Sequence, residues 1–309
     1  MQTTSNILMI EPILFGFNEE TAKNNYFQQN DNTAEAQIQH NALTEFRSMV
    51  DMLRAHKVNV IVVKDTAEPH SPDSIFPNNW VSFHSCGRVV LYPMFAANRR
   101  TERRPEILDR IASEGFAIRE KIDFTGYEHE EKFLEGTGSM ILDRDNHIAY
   151  ACLSQRTERN LFELFCREME YTPVAFHSFQ SVEGKRLPIY HTNVMMCVAD
   201  RYVIICTDTI DDAAERKAVV DTIEKSGKKI IEISESQMHR FAGNMLQVNN
   251  TDGDKFLVMS DTAYRSLHPE QVAAIEQYNK ILHPAIPTIE HYGGGSARCM
   301  MAEIFLPKK

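Results

Sequence analysis

The residue with the clearest chemical potential is Cys299, which follows three consecutive glycines at positions 293–295. Glycine allows backbone turns that other residues resist, and it lets main chain approach a ligand closely. A cysteine that such a loop delivers to the start of a short strand is accessible and fixed in position, so its thiolate could attack an electrophilic carbon. The alternative is a turn with a buried, unreactive cysteine, because single cysteines are common in protein cores.

Four further polar residues stand at similar places in the chain, each at the entry to a predicted β-hairpin. With Cys299 as the fifth position, they recur at intervals of 53 to 62 residues and comprise Asp73, Glu135, His191 and Asn244. Histidine exchanges protons near neutral pH, a carboxylate can orient it, and a thiolate can attack, so these types suit covalent catalysis. Each also has an ordinary explanation, as a turn residue or as a hydrogen-bonded side chain that enters a strand.

The stretches that follow these residues repeat one pattern of predicted elements. In the clearest copy, apolar runs at 133–142 and 147–153 form two strands around a turn, and a helical stretch at 158–169 precedes a third strand at 173–176. A ββαβ unit that recurs every 50 to 60 residues predicts a closed, propeller-like α/β fold in one domain. The first strands would lie innermost and would bring the five polar residues to a common mouth.

Composition and charge limit the classes of function. The chain has 309 residues, of which 43% are hydrophobic and 25% charged, so it can bury a sizeable core. Its net charge of −10 argues against nucleic acid or an anionic membrane as a partner. No apolar run approaches the roughly 20 residues of a membrane span, and the N-terminus lacks the features of a signal peptide.

The cysteines and the missing motifs predict a cytoplasmic protein without cofactor or metal. Six cysteines are scattered without CxxC pairs, which is typical of reduced thiols and of neither a disulfide framework nor a zinc site. The sequence contains no HExxH motif, no Walker loop, and no GxGxxG between a strand and a helix.

These motifs together resemble the pentein superfamily of guanidine-modifying enzymes, which includes arginine deiminases, amidinotransferases and dimethylarginine dimethylaminohydrolases. The resemblance covers nearly the whole chain and is carried by the loop 293–299, the segment 73–76 (DSIF), the segment 134–136 (LEG) and His191. Extended to DSIFPNNW, the DSIF segment looks most like a bacterial branch of citrulline-utilisation hydrolases. The resemblance implies a five-bladed, pseudosymmetric α/β propeller as a single catalytic domain over residues 1–309, with a Cys–His–Glu/Asp site at its centre.

The resemblance also implies roles for the catalytic residues. Cys299 attacks the guanidino or ureido carbon, and His191 protonates the departing amine and then activates the water that releases the covalent intermediate. Glu135 orients His191 and accepts hydrogen bonds from the substrate. Because a free thiol is mostly protonated at neutral pH, the site must favour the thiolate, and Arg298 and His191 are the available positive groups.

An amino-acid substrate needs partners for its charged head group. By resemblance to the dimethylarginine hydrolases, Asp73 binds the α-ammonium group. Arg156 and one of the pair Arg99 and Arg100 match carboxylate-binding positions, where arginine can donate two parallel hydrogen bonds. The ordinary explanations are an Asp-Ser turn for Asp73 and a solvated basic run for the arginines.

Asparagines at three positions distinguish this chain from its relatives. Asn78 and Asn79 replace acidic residues of the dimethylarginine hydrolases, and Asn193 replaces the Asp of the His-x-Asp motif of deiminases and amidinotransferases. Leaving a guanidinium without its anions is costly, whereas an amide offers both a donor and an acceptor to a neutral urea. The sequence therefore predicts a citrulline-like substrate, an S-carbamoyl intermediate on Cys299, and ornithine, ammonia and carbon dioxide as products.

Other functions remain compatible with the sequence. An amidinotransferase, or a guanidino hydrolase of the arginine deiminase or dimethylargininase type, would use the same covalent machinery. A non-catalytic pentein would act as a binding module, although the joint presence of Cys299, His191 and Glu135 argues against it. The expected partner is a small amino-acid substrate, and the sequence leaves the oligomeric state open, with a homodimer as one option.

Overall fold

Strands and helices alternate along the chain in a recurring order. The structure is a computed structural model that describes all of residues 1–309. The strands are β1 (Asn6–Glu11), β2 (Asn59–Lys64), β3 (Val81–Phe83), β4 (Arg88–Leu91), β5 (Glu120–Asp123), β6 (Ile141–Asp143), β7 (Ile148–Cys152), β8 (Thr172–Phe176), β9 (Phe179–Val182), β10 (Lys185–Pro188), β11 (Met196–Val198), β12 (Tyr202–Ile205), β13 (Lys229–Glu232), β14 (Leu246–Asn249), β15 (Lys255–Val258), β16 (Lys280–Leu282) and β17 (Ala302–Glu303).

The helices differ widely in length. The α-helices are α1 (Glu35–Ala55), α2 (Pro105–Ser113), α3 (Gly136–Ser139), α4 (Arg159–Glu168), α5 (Ala213–Lys225), α6 (Glu235–Met238), α7 (Asp261–Ser266), α8 (Pro269–Glu276) and α9 (Pro287–Gly293). Short 3₁₀ helices occupy Pro77–Asn79, Ala97–Glu102, Thr125–Glu130, Thr192–Val194 and Thr207–Thr209. None of the helices combines the length and the apolar composition that crossing a membrane requires.

Five three-stranded sheets share one topology. In each, the first strand pairs antiparallel with the second, and the second pairs parallel with the third, as Val81 opposite Leu91 and Arg88 opposite Glu120 illustrate for β3, β4 and β5. The sheets are β3-β4-β5, β6-β7-β8, β11-β12-β13, β14-β15-β16 and β17-β1-β2. The last one unites both chain ends, because β17 pairs antiparallel with β1. The α/β class and the ββαβ order are confirmed, while no single sheet closes on itself.

The sequence explains why the crossover helices pack on these sheets. Helix α1 buries Ile38, Ala42, Phe46, Met49, Val50 and Leu53, which recur at helical spacing on one face. Burying each large aliphatic or aromatic side chain contributes roughly 1.5–3 kcal/mol. Between sheets, first strands contact one another, with β17 against β3, β6 against β11, and β11 against β14. The ends of these strands are where the polar residues of the repeat lie.

The first strands of the repeat units begin later than the sequence patterns predict. The predicted strand over 133–142 is interrupted by α3, and β6 begins only at Ile141. The segments after His191 and Phe76 likewise form 3₁₀ turns, and Cys299 lies in a turn that precedes β17. Most residues in these turns are glycine, proline, asparagine or serine, which favour turns over strands. Each polar residue therefore sits on a short turn instead of inside a strand.

One hairpin does not belong to the repeat and was not predicted. Strands β9 and β10 form a two-stranded sheet between the third strand of one unit and the first strand of the next. The hairpin places Gln180, which is buried, opposite Leu187.

Candidate active site

The nucleophile loop is held by close packing on its glycines. Gly294 has φ +60°, and a Cβ added to Gly293 or Gly295 would lie 2.8 Å from the ring of Phe76. The loop ends at Cys299, which is only 6% exposed. Its Sγ accepts hydrogen bonds from Nδ2 of Asn193 at 3.3 Å and of Asn244 at 3.2 Å. Both amides are placed to stabilise negative charge on the sulfur.

Glu135 and His191 form a buried pair. Oε2 of Glu135 lies 2.7 Å from Nε2 of His191, and the other carboxylate oxygen accepts the backbone N–H of Phe95 at 2.9 Å. Each residue precedes a helical turn, α3 or Thr192–Val194, and Ser139 Oγ accepts the backbone N–H of Glu135 at 2.8 Å. These contacts fix the carboxylate and, through it, the plane of the imidazole ring.

The pair is asymmetric in charge. Burial lowers the pKa of His191 to about 4, although Glu135 stabilises the protonated ring. Burial would raise the pKa of Glu135, but Arg156 and His191 outweigh it and hold that pKa well below its usual range. At neutral pH the carboxylate is therefore charged and the histidine neutral. Since Nε2–H donates to Glu135, the network assigns the lone pair to Nδ1, which is free to accept a proton.

Arg99 is tightly bound within the protein. Its Nε and Nη2 donate to both carboxylate oxygens of Glu102, at 2.7 and 3.0 Å, and its Nη1 donates to Oδ1 of Asn79 at 2.8 Å. Burial raises the pKa of Glu102 to about 7, against the stabilising effect of Arg99. Arg99 therefore positions Asn79 and retains few free N–H groups for a substrate carboxylate.

Arg156 and Asp73 meet the segment 18–25, which covers the site. Nε of Arg156 donates to Oδ1 of Asn24 at 2.8 Å, and its Nη2 donates to the carbonyl of Thr21 at 2.9 Å. Oδ2 of Asp73 accepts from Nδ2 of Asn18 at 2.8 Å and from the hydroxyl of Thr21 at 3.1 Å. Asp73 and Arg156, which the sequence predicts to bind the head group of the substrate, therefore contact the same covering segment.

Two predicted arginines point elsewhere. Arg100 is half-buried, donates from Nε to the carbonyl of Met94, and does not line the cavity beside Cys299. Arg298, although adjacent to Cys299, donates to the carbonyl of Met301 and to Glu303 at 2.8 Å. The expectation that Arg298 supports the thiolate is therefore wrong, because its charge is neutralised by Glu303 and the sulfur contacts two amides instead.

Six of the predicted site residues line a small cavity. It measures about 10 Å³, roughly the space of one water molecule. Its charged and reactive lining comprises Asp73, Asn79, Arg99, Arg156, His191 and Cys299. Several buried amide atoms nearby have no hydrogen-bond partner, namely Nδ2 of Asn79, Oδ1 of Asn193 and both side-chain polar atoms of Asn78. An amino acid could enter only if the covering segment moved.

Some residues of the site were not predicted from the sequence. Asn244 was recognised as a repeat position but given no role, although its place in the repeat was the available signal. Tyr190 lies with its ring 4.9 Å from the Arg156 guanidinium, and its hydroxyl donates to the Gly294 carbonyl at 3.0 Å. Asn24 belongs to a stretch without regular periodicity, and no local pattern distinguishes it from a surface loop.

Comparison with protein families and sequences gives one match. A family model described as N,N dimethylarginine dimethylhydrolase, eukaryotic, matches residues 11–306. The match covers nearly the whole chain and confirms the resemblance to the pentein superfamily. A comparison with curated protein sequences found no match.

Solved structures share the fold at low sequence identity. The arginine dihydrolase ArgZ of the ornithine–ammonia cycle in cyanobacteria has a TM-score of 0.74 and 17% identity, over 98% of this chain and 41% of that protein. Its N-terminal domain bound to substrate has a TM-score of 0.70 and 18% identity, over 97% of this chain and 99% of the domain. A dimethylarginine dimethylaminohydrolase adduct with S-methyl-L-thiocitrulline has a TM-score of 0.62 and 13% identity, over 98% and 100%. The chain thus spans about two fifths of full-length ArgZ.

Proposed function

The chain belongs to the N,N-dimethylarginine dimethylhydrolase family of the pentein superfamily, and we propose that it hydrolyses a C–N bond in a ureido or guanidino group of an amino acid. The observation that carries the proposal is the buried Glu135–His191 pair, 2.7 Å apart, beside the same cavity as Cys299. A binding module would not require a proton-exchanging pair next to a thiol.

In the proposed mechanism the Cys299 sulfur forms a bond to the central carbon of the group. Nδ1 of His191 takes the thiol proton and passes it to the nitrogen that leaves as an amine or ammonia. His191 then removes a proton from water, whose oxygen attacks the covalent intermediate, and the carbon–sulfur bond breaks. Glu135 holds the ring and stabilises the imidazolium each time it forms, and Asn193 and Asn244 stabilise the sulfur as an anion.

We propose a ureido group, as in citrulline, as the preferred substrate. Asn79 lines the cavity beside Cys299 and has an unpartnered Nδ2, and Asn193 contacts Cys299 through Nδ2 and has an unpartnered Oδ1. Carboxylates at these positions would suit a guanidinium, and both side-chain polar atoms of the adjacent Asn78 are unpartnered too. The N–H group of an asparagine can donate to a urea oxygen, which a carboxylate cannot do. Hydrolysis of an S-carbamoyl intermediate would yield ornithine, ammonia and carbon dioxide.

The second candidate is a guanidino hydrolase that acts on arginine. The structurally similar ArgZ is an arginine dihydrolase, and a related structure of AgrE contains L-arginine. Glu135 also supplies one buried carboxylate that could face a guanidinium. On this alternative, a ureido product that remained bound could be hydrolysed again in the same cavity.

Asp73 and Arg156 are the proposed contacts for the α-ammonium and α-carboxylate groups. Both are buried, and their present partners in the segment 18–25 are uncharged donors and acceptors that a zwitterion could replace. Arg99 is assigned a supporting role, because Glu102 and Asn79 occupy most of its N–H groups. Arg100 is dropped as a carboxylate contact because it lies outside the cavity.

Comparing citrulline with arginine tests the proposal. We expect release of ornithine from citrulline, and intact-mass detection of a carbamoyl adduct on wild type that is absent from Cys299→Ser. Cys86→Ser is the matched control, because Cys86 is an exposed thiol. Conversion of arginine to citrulline without turnover of citrulline would contradict the ureido proposal. Product formation that requires added glycine or lysine would instead identify an amidinotransferase, and no turnover or adduct with either substrate would support a binding module.

We further propose that the five sheets are the blades of one pseudosymmetric propeller and that residues 1–309 form one catalytic domain. Contacts between first strands of neighbouring sheets and the pairing of both chain ends in one sheet support this arrangement. A reducing compartment such as the cytoplasm is the proposed location, because all six cysteines are free and the reaction needs a reduced thiol.

A further inference from the structure

A second, larger cavity lies next to the candidate active site. Its volume is about 580 Å³, within the range of small-molecule sites. Tyr26, Phe27 and Gln29 line it together with residues 290–291, whereas the nearby Asn25 and Gly293 line the cavity beside Cys299. The extra hairpin β9–β10, which stands outside the repeat, forms another wall through residues 180–182.

Two side chains on the lining of this cavity carry buried polar atoms without hydrogen-bond partners. Gln180 is 1% exposed, yet neither its Nε2 nor its Oε1 has a hydrogen-bond partner, and Nε2 of His239 on the same lining is also buried without one. Proteins rarely leave buried polar groups unpaired, because each loses its bonds to water. An amide with both atoms free presents an adjacent donor and acceptor, which is the pattern that another amide edge complements.

The rest of the lining combines aromatic rings with a cation. The rings of Phe27 and Phe241 lie 5.2 Å apart, and the Phe27 ring lies 5.9 Å from that of His239. Arg240 lines the same cavity and is exposed to solvent. Glu290 also lines the cavity and is buried; its Oε1 accepts the hydroxyl of Ser296 at 2.6 Å, and burial raises the pKa of its carboxyl group.

We propose that this cavity binds a nucleoside monophosphate. The base edge pairs with the side-chain amide of Gln180, because nucleobases carry neighbouring donors and acceptors. Phe27 and Phe241 contact the planar base, as aromatic side chains do in nucleotide sites. Arg240 at the mouth binds the phosphate through parallel N–H groups.

Occupancy of the cavity is coupled to the candidate active site through the covering segment. Phe27 is two residues from Asn25, whose side chain donates to the carbonyls of Gly293 and Gly294 at 3.4 Å each. Asn24, the residue before Asn25, accepts a hydrogen bond from Nε of Arg156. A nucleotide that fixes Phe27 therefore shifts the equilibrium of the segment over the site and changes KM, and a substrate changes nucleotide affinity by the same factor.

Calorimetric titration of the full chain with AMP, GMP, CMP and UMP, each to about 5 mM, tests the proposal. We expect at least one nucleotide to bind one to one, and Gln180→Leu to weaken it at least about tenfold. Arg240→Ala should weaken the monophosphate while leaving the matching nucleoside unchanged. Gln37→Leu and Arg201→Ala, at exposed positions outside the cavity, are the matched controls.

Three results would overturn the proposal. They are no binding of any of the four nucleotides, binding that Gln180→Leu leaves intact, and binding that Cys299→Ser abolishes, since the last would place the ligand in the active site. If Gln180→Leu does not fold, the comparison of nucleotide with nucleoside in Arg240→Ala decides, and equal losses for both would contradict the phosphate contact.

Discussion

The two neighbouring cavities differ in volume and in whether their buried charges form pairs. In the cavity beside Cys299, the charged side chains are paired, as Arg99 with Glu102 and His191 with Glu135, and only about 10 Å³ remains. In the second, a buried amide is unpaired within about 580 Å³. Paired, buried charges keep a catalytic group in one orientation before substrate arrives, whereas a buried amide without partners beside a larger cavity suits a ligand that supplies the missing hydrogen bonds.

The largest expected effect is on turnover, which a substitution in the cavity beside Cys299 should lower and a substitution in the second cavity should not. Cys299→Ser should lower turnover by about 10³-fold or more, because a hydroxyl is a far weaker nucleophile than a thiolate. Gln180→Leu should leave kcat within about twofold of wild type. Steady-state kinetics of both variants check the contrast, and equal losses of kcat would show that the two cavities form one functional site.

The next effect concerns the acid–base pair. Glu135→Gln should reduce kcat by about 10²–10³-fold, because the imidazolium loses its stabilising charge and the ring loses its fixed tautomer. The protein should also be less stable, since Arg156 is left buried near a neutral amide. Kinetics and thermal melts test this. Replacement of the surface carboxylate in Glu35→Gln serves as control, and a wild-type rate in Glu135→Gln would remove this residue from the mechanism.

Gly138 tests how tightly the catalytic cavity is packed. A Cβ at this position would collide with Nδ2 of Asn79 and lie 2.9 Å from the ring of His191. We expect Gly138→Ala to lower kcat by about 10–100-fold while secondary structure, measured by circular dichroism, is retained. Gly126→Ala is the matched control, because nothing lies within 4 Å of its added Cβ. Full activity in Gly138→Ala would mean that the ring tolerates displacement.

The amides should determine which substrate is preferred. Restoring carboxylates with Asn79→Asp and Asn193→Asp should shift the citrulline-to-arginine ratio of kcat/KM toward arginine by about tenfold or more, because a guanidinium regains anionic partners. Asn32→Asp, an exposed change of equal charge, should leave the ratio unchanged. If the ratio is the same in all three variants, the argument from neutral amides is wrong.

The smallest effect is in the pH dependence of stability. The pKa of His191 is about 4 in the folded protein, against 6.5 for an unperturbed histidine, so between these values the unfolded chain binds more protons. Stability should therefore fall as pH decreases from 6.5 toward 4, by roughly 3 kcal/mol at most. Urea titrations of wild type and His191→Gln check this, with His40→Gln as the exposed control. Parallel curves for wild type and His191→Gln would contradict the low pKa.

The sequence allowed the α/β class, the ββαβ order and the polar residues of the repeat to be predicted, because each depends on local periodicity. Helix α1 was expected over 33–56 and is observed over Glu35–Ala55. The first strands of the repeat units were predicted to start too early, since the turns after Glu135 and His191 contain residues whose conformation depends on packing between units. The closed propeller stays a prediction.

Only the tertiary structure determines which hydrogen-bond or ion-pair partner each polar side chain has. Cys299, His191, Glu135, Arg156 and Asp73 were identified in the sequence because their residue types and order are local properties. The direction of Arg298 toward Glu303, and the contact of Asn24 with Arg156 across 132 residues, depend on where distant segments meet. Side-chain charge can be read from the chain, but the group that neutralises it is fixed by packing.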